Sequence, residues 1–388
     1  MFRAGYAVSD LFYRGMVFLL SAIALYAQGT GFYAEFVRDI AVFNLIYNIS
    51  LLSVPTFLVR QAVQSGTWPS VSVLAYLSIL VICLPVFFSI IIFAGVKFEI
   101  VLAVFGALVL EIFFARVRAL DGNHLLTSMI FLVSAVFFLS VLLLFGGVQE
   151  FRFWALFVIG LTVVGLVSID LRRRKRVFGS LDYFRSGIWP MIRDLLMFGV
   201  PISIHQLIFW FRSGFDKIFL FSKIDAGTFA VYGAIFQILS VMGVLLGVFL
   251  RTYQAPLYSA MENFSTRRHI RVILLLLLTF GIFIIFSLLV SDYLINIYFS
   301  DLISALVVKL LILGGCLHFV NQIFAFAYSF FGRTLAFLAL NSIGLLVYLS
   351  VVVLGGASLF AFSAAYFFST LVISIASSAY LILIFNRH

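Results

Sequence analysis

The sequence predicts an all-α membrane protein of about twelve transmembrane helices in two six-helix lobes, with both termini on the cytoplasmic side. Three observations predict it. Of 388 residues, 64% are hydrophobic and 10% are charged, against roughly 25% charged in an ordinary soluble domain. The mean hydropathy is +1.21, and no water-soluble core could hide that much apolar surface. The apolar residues also fall into separated runs, most of them near the ~20 residues a helix needs to cross a hydrocarbon layer about 30 Å thick.

Six runs occupy 9–28, 36–60, 71–94, 98–119, 124–145 and 151–171. Segment Leu11 to Ala27 carries an A-x-A-like step at Ala22 and Ala24, but Asp10, Arg14 and the spans that follow favour an uncleaved first helix over a signal peptide. A polar stretch, 172–193, follows with the run Arg172-Arg173-Arg174-Lys175-Arg176 and the turn-like Phe178-Gly179-Ser180, and reads as a basic cytoplasmic linker. Six further runs lie at 195–214, 226–254, 272–291, 302–324, 334–355 and 358–385. The expected domains are therefore an N-terminal lobe, 1–171, the linker, and a C-terminal lobe, 194–388.

Lys and Arg accumulate in cytoplasmic loops, which tests the layout. With both termini inside, the inner side takes 16 of the 25 basic residues, among them Arg3, Arg60, Arg116, Arg118, the linker run and Arg333. The outer side takes Arg38, Lys97, Arg152, Arg212, Lys217 and Lys223, and Arg14, Arg251 and Lys309 remain at membrane depth. An even repeat around a central loop suggests a duplicated transporter. The best internal echo is Leu52-Ser53-Val54 ahead of Arg60 against Leu239-Ser240-Val241 ahead of Arg251.

The formal net charge of +10 is distributed between apolar spans, so it sets topology rather than pointing to a nucleic acid. Cys83 and Cys316 lie far apart in apolar runs and read as core residues. No HExxH, Walker loop or GxSxG elbow is present, and the longest outer loops run to about a dozen residues, so an enzyme is not expected, nor a metal or cofactor.

Intramembrane charges carry the functional reading, because an Arg at the bilayer centre costs about 2.5 to 3.5 kcal/mol and is kept for a partner or a pathway. Asp10 and Arg14, at i and i+4, share a helix face, either as a salt bridge or at the interface. Arg251 stands near the end of the eighth span, before Gln254 and the helix-ending Pro256. Lys309 has no acidic residue within a helical turn and is expected to line a cavity. Glu111 precedes Arg116 and Arg118 by about a turn and is either their partner or a coupling group. His205 and His318 read as core histidines or proton carriers. Arg212-Ser213-Gly214-Phe215-Asp216-Lys217 reads as a charge network in an outer loop. Pro55, Pro85, Pro201 and Pro256 each remove a backbone donor within or at the end of a span.

Residues 197–262 carry a more specific pattern: Met197-Phe198-Gly199-Val200-Pro201-Ile202, then Phe215-Asp216-Lys217-Ile218-Phe219-Leu220, then Gly227, Tyr232, Gln237-Ile238 and Gln254-Ala255-Pro256-Leu257. This resembles the polysaccharide-export branch of the multidrug/oligosaccharidyl-lipid/polysaccharide (MOP) exporter superfamily, the Wzx-type O-unit flippases. The resemblance covers the seventh and eighth spans, and elsewhere rests on topology and length. It implies a bundle in the bacterial inner membrane that moves a polyprenyl-diphosphate-linked oligosaccharide to the periplasmic leaflet for surface polysaccharide and O-antigen assembly. It also implies a proton or ion gradient as the drive, and a polysaccharide polymerase and chain-length regulator as partners. Arg14, Arg60 and Arg251, with Lys309, are the expected diphosphate contacts, Arg60 lying close to the inner interface. Pro201, Arg212, Asp216, Lys217 and Pro256 are the motif positions, and Asp10 and Glu111 the coupling candidates. A cation-coupled multidrug exporter of the same superfamily and a polysaccharide polymerase or ligase are the competing readings. The three deep basic residues favour an anionic cargo over a cationic drug.

Overall fold

A computed structural model describes residues 29–51, 54–65, 76, 97–119, 181–236, 239, 243, 281, 303–330 and 333–385. Every described element is a helix: α1 (29–51), α2 (Val54–Ser65), α3 (Phe98–Ala119), α4 (Leu181–Ser213), α5 (Phe215–Phe221), α6 (Ala226–Phe236), α7 (Ala305–Phe330), α8 (Thr334–Leu354) and α9 (Leu359–Phe385). Five stretches among the described residues are long and apolar enough to cross a membrane: Gly29–Val59, Ile192–Phe221, Ala305–Ala325, Thr334–Leu354 and Leu359–Leu381. The expected spans at 9–28, 124–145 and 151–171, and nearly all of those at 71–94 and 272–291, lie outside the described residues. So do Asp10, Arg14, Arg251 and Pro256, and the side chain of Arg60.

Packing divides the described chain into two compact units, 39–207 and 29–38 with 208–385. In the first, α2 lies against α3 through a core of Val54, Leu58, Tyr76, Val104, Leu108 and Leu195. The Tyr76 hydroxyl donates to the Ser50 carbonyl at 2.8 Å, and Phe57 meets Phe198 at 5.5 Å between ring centroids. Lys97, just before α3, pairs with Asp39 of α1 at 3.0 Å.

In the second unit α9 packs against both α7 and α8. Small residues permit the close approach, as membrane helices require where no hydrophobic force drives them together. A Cβ on Gly314 of α7 would stand 2.7 Å from Tyr366 Cδ1 of α9, and one on Gly344 of α8 would overlap Ile373 of α9. The serines and threonine of α9 mostly donate to carbonyls one turn back, Thr370 to Tyr366 at 2.8 Å and Ser378 to Ser374 at 2.8 Å, which keeps hydroxyls satisfied in an apolar helix. Between helices, Asn321 of α7 donates to the Thr370 carbonyl at 3.2 Å and accepts from Ser374 at 3.0 Å.

Helix α8 shows the inside-out pattern of a helix in lipid. Its exposed face carries Leu335, Ile343, Leu346, Leu349 and Val353, while Phe337, Asn341, Gly344, Tyr348 and Val352 are buried. Asn341 and Tyr348 thus turn inward, while the exposed Ser350 donates to the Leu346 carbonyl one turn back. At its C-terminus the Ala357 amide reaches the Val352 carbonyl and the Gly356 amide the Val353 carbonyl, with Gly356 at φ +70°, a Schellman closure. Ser358 then caps α9, its hydroxyl accepting from the Ala361 amide at 3.1 Å.

The helices bear on two expectations. Residues 181–193, read as linker, form the first part of α4. Pro201 sits inside that helix. Arg212, Asp216 and Lys217, read as an outer loop, are buried within the apolar stretch Ile192–Phe221. The loop reading equated charge with exposure, whereas these charges are accommodated inside the unit. The exposed turn between α5 and α6 is shorter, with Ser222, Lys223 and Asp225 on the surface.

Candidate functional site

A cluster of buried charged and polar groups lies where α4 ends. Helix α4 stops at Ser213 and α5 begins at Phe215, with Gly214 between them. A Cβ on Gly214 would fall 2.6 Å from the Trp210 indole nitrogen, so glycine is what allows the indole to pack there. Asp216 takes the first turn of α5, where a carboxylate is favoured.

Asp216 accepts a hydrogen bond from the Tyr232 hydroxyl of α6 on one oxygen and faces Lys217 Nζ at 3.4 Å on the other. The Lys217 ammonium also donates to the Ser213 carbonyl and lies 3.5 Å from the centre of the Phe236 ring. This buried pair thus has the added donors, acceptors and ring face that a desolvated ion pair needs to be tolerated. Asp216, Lys217 and Tyr232, scattered over 17 positions of the motif, are brought together.

Arg212 is arranged differently. It is 1% exposed, and its Nη2 donates to Asn341 Oδ1 of α8 at 3.1 Å, while Nε and Nη1 are buried and have no hydrogen-bond partner among the described residues. No carboxylate among the described residues comes within salt-bridge distance of it. The Tyr348 hydroxyl of α8 is itself buried without a described partner. Asn341 is held in place by donating its amide to the Phe337 carbonyl at 2.8 Å.

The other predicted residues lie elsewhere. Lys309 is exposed within the first turns of α7. Glu111 is buried on α3 in the first unit, and the side chains of Arg116 and Arg118 lie outside the described residues. His318 is a core residue, stacked on Phe209 at 4.0 Å and bonded to Gln322 at 2.9 Å, and His205 is half-buried. Cys316 is buried and forms no disulfide. Among the described residues no group of His, Cys, Asp and Glu could hold a metal. The residues missed from the sequence are Asn341, Tyr348 and Tyr366. An amide and a phenol in so apolar a helix as α8 were the available signal.

No protein-family profile matches the sequence, and no curated protein does. Solved structures do match over the whole chain. An outward-facing multidrug resistance MATE family transporter of the MOP superfamily aligns over 100% of this chain and 96% of its own, at TM-score 0.72 and 14% identity. A eukaryotic MATE transporter, AtDTX14, aligns over 98% and 95%, at TM-score 0.62 and 14% identity. The Vibrio cholerae MATE transporter VcmN in its bent form aligns over 97% and 96%, at TM-score 0.53 and 13% identity. The chain thus has the all-α, multi-pass membrane fold of these transporters, consistent with about twelve helices.

Proposed function

We propose that the chain is a flippase that carries a polyprenyl-diphosphate-linked oligosaccharide from the cytoplasmic to the outer leaflet of a bacterial inner membrane by alternating access. The observation that carries this reading is the charge buried among the described residues of the second unit: two cations, Arg212 and Lys217, against one carboxylate, Asp216. Asp216 is spent on Lys217 and Tyr232, so Arg212 keeps its charge and most of its donors for something else. A diphosphate cannot enter hydrocarbon bare, and a guanidinium in a low-dielectric interior is the group best shaped to receive it. The MATE fold supplies a scaffold for moving solutes across a bilayer, and the likeness of residues 197–262 to O-unit flippases supplies the cargo class.

On this reading Arg14, Arg60, Arg251 and Lys309 are further candidate contacts, Asp10 and Glu111 candidate coupling groups for a proton or ion gradient, and a polysaccharide polymerase and chain-length regulator the partners downstream. A second reading, a multidrug exporter, is favoured by the multidrug transporter among the structures of this fold and by the buried carboxylate of Glu111, which suits a cationic substrate. Deleting the gene and locating polyprenyl-linked glycans in sealed inverted vesicles separates the two. Complete units trapped on the cytoplasmic leaflet support flipping. Normal translocation overturns it, and drug sensitivity in the same strain would then favour the exporter.

A further inference from the structure

A buried arginine with unused donors is an expensive arrangement. A guanidinium carries five N–H donors, and in Arg212 one of them is committed, to Asn341. Whichever Nη2 hydrogen that bond takes, one complete two-pronged face remains, either Nε with Nη2 or Nη1 with Nη2. Each buried donor left unmade carries its full desolvation penalty, larger where the group is charged. Nearby groups do not relieve the cost: the adjacent carboxylate, Asp216, is committed elsewhere, and Tyr348 adds a hydroxyl that has no described partner.

The geometry points to Arg212 and the Tyr348 hydroxyl as a receptor for a diphosphate group inside the second unit, with Asn341 holding the guanidinium in place. The inference rests on the flippase reading for the source of the diphosphate, and on the unused donors for the site itself. A diphosphate oxygen pair matches a two-pronged guanidinium face, and the phenol of Tyr348, on the same buried helix face as the anchor, adds a neutral donor. Asn341 is the fitting anchor because it accepts without neutralising, so the positive charge stays available. Phe337, Asn341, Gly344 and Tyr348 share the buried face of α8, which places anchor and hydroxyl two turns apart on one surface. Arg212 is sealed in the present conformation, so the anion enters when the helices around it part.

The test uses the full-length protein in nanodiscs, with inorganic pyrophosphate and farnesyl diphosphate as probes and the melting temperature as readout. Both probes, or farnesyl diphosphate alone, should raise the melting temperature of the wild type. The first result means that the anion suffices, the second that it is read only on a lipid. Arg212→Gln should weaken the affinity about 10- to 100-fold, the loss of a charge-assisted contact. Arg212→Lys should retain part of it, since a point charge replaces a planar fork, and Tyr348→Phe should weaken it severalfold. If neither probe shifts the wild type, or if Arg212→Gln shifts as the wild type does, the site is wrong. Should Arg212→Gln fail to fold, unchanged affinity in both Arg212→Lys and Tyr348→Phe overturns the site equally. Flipping of a fluorescent prenyl-diphosphate disaccharide in proteoliposomes separates the two claims. Wild-type flipping that survives Arg212→Gln sinks the site and leaves the flippase, whereas Arg212-dependent binding without flipping leaves the site and sinks the flippase.

Discussion

Arg212 and Asn341, 129 residues apart in the chain, are joined by a 3.1 Å hydrogen bond that ties the end of α4 to the buried face of α8. The amide accepts from the guanidinium and donates to the Phe337 carbonyl, so its orientation is fixed from both ends. The contact positions a charge while leaving it unneutralised.

Replacing the neutral acceptor by a charged one should therefore separate stability from binding. Asn341→Asp places a carboxylate against the guanidinium, and charge-assisted bonds are about twice as strong as neutral ones. We expect the melting temperature to rise and the affinity for pyrophosphate to fall at least tenfold. Asn341→Leu should instead cost about 1.5 to 3 kcal/mol, because the guanidinium loses its remaining partner. Denaturation in detergent and pyrophosphate titration of both variants check the pair.

Asp216 and Lys217 make the opposite case, a pair whose halves need each other. Removing Asp216 alone strands a buried ammonium, and breaking a buried pair this way costs about 3 to 5 kcal/mol. Tyr232→Phe removes one donor to that carboxylate and should cost about 1 to 3 kcal/mol. Asp216→Asn with Lys217→Met should recover much of the loss of Asp216→Asn alone. A double-mutant cycle on the unfolding free energy measures the coupling, and additive losses would show that the pair does not act as a unit.

Asp225, exposed at the start of α6, accepts from the Thr228 amide at 2.8 Å and caps the helix. Hydrogen bonds from Thr228, side chain and then backbone, hold its carboxyl below the ordinary carboxylate range. A folded-state value depressed in this way means that the cap stabilises the helix above the ordinary value and fades as pH falls through the lower one. Amide exchange at 227–230, corrected for intrinsic rates, should show less protection on acidification from about pH 5 to pH 3. In Asp225→Ala the protection should be low throughout and independent of pH.

The apolar runs sufficed for most described spans, since length and hydropathy are what lipid selects: 98–119 and 334–355 agree with Phe98–Ala119 and Thr334–Leu354 within a residue. At 181–193, where charge and a proline at 190 read as linker, they gave no sign that the chain is helical. They failed at Arg212, Asp216 and Lys217, because a hydropathy window counts charges without asking whether they have partners. Within the motif, Tyr232 is explained by the hydroxyl it offers Asp216. Asn341 was overlooked because, as a neutral residue, it leaves an apolar run intact. Its role follows only from a contact that crosses 129 residues.

The turn joining α8 to α9 offers a test in which function has no part. Gly356 and Ala357 both have positive φ, +70° and +52°, the second in a region that costs a residue with a Cβ about 1 to 2 kcal/mol. Nothing lies within 4 Å of a Cβ built on Gly356, so strain there comes from the backbone alone. Gly356→Ala should therefore destabilise by about 1 kcal/mol, while Ala357→Gly should stabilise by up to about 1 kcal/mol, less the added freedom of glycine in the unfolded chain. Opposite shifts in melting temperature, with binding unchanged in both variants, are the expected result. A loss of stability in Ala357→Gly would mean that the turn does not hold that residue in the left-handed region.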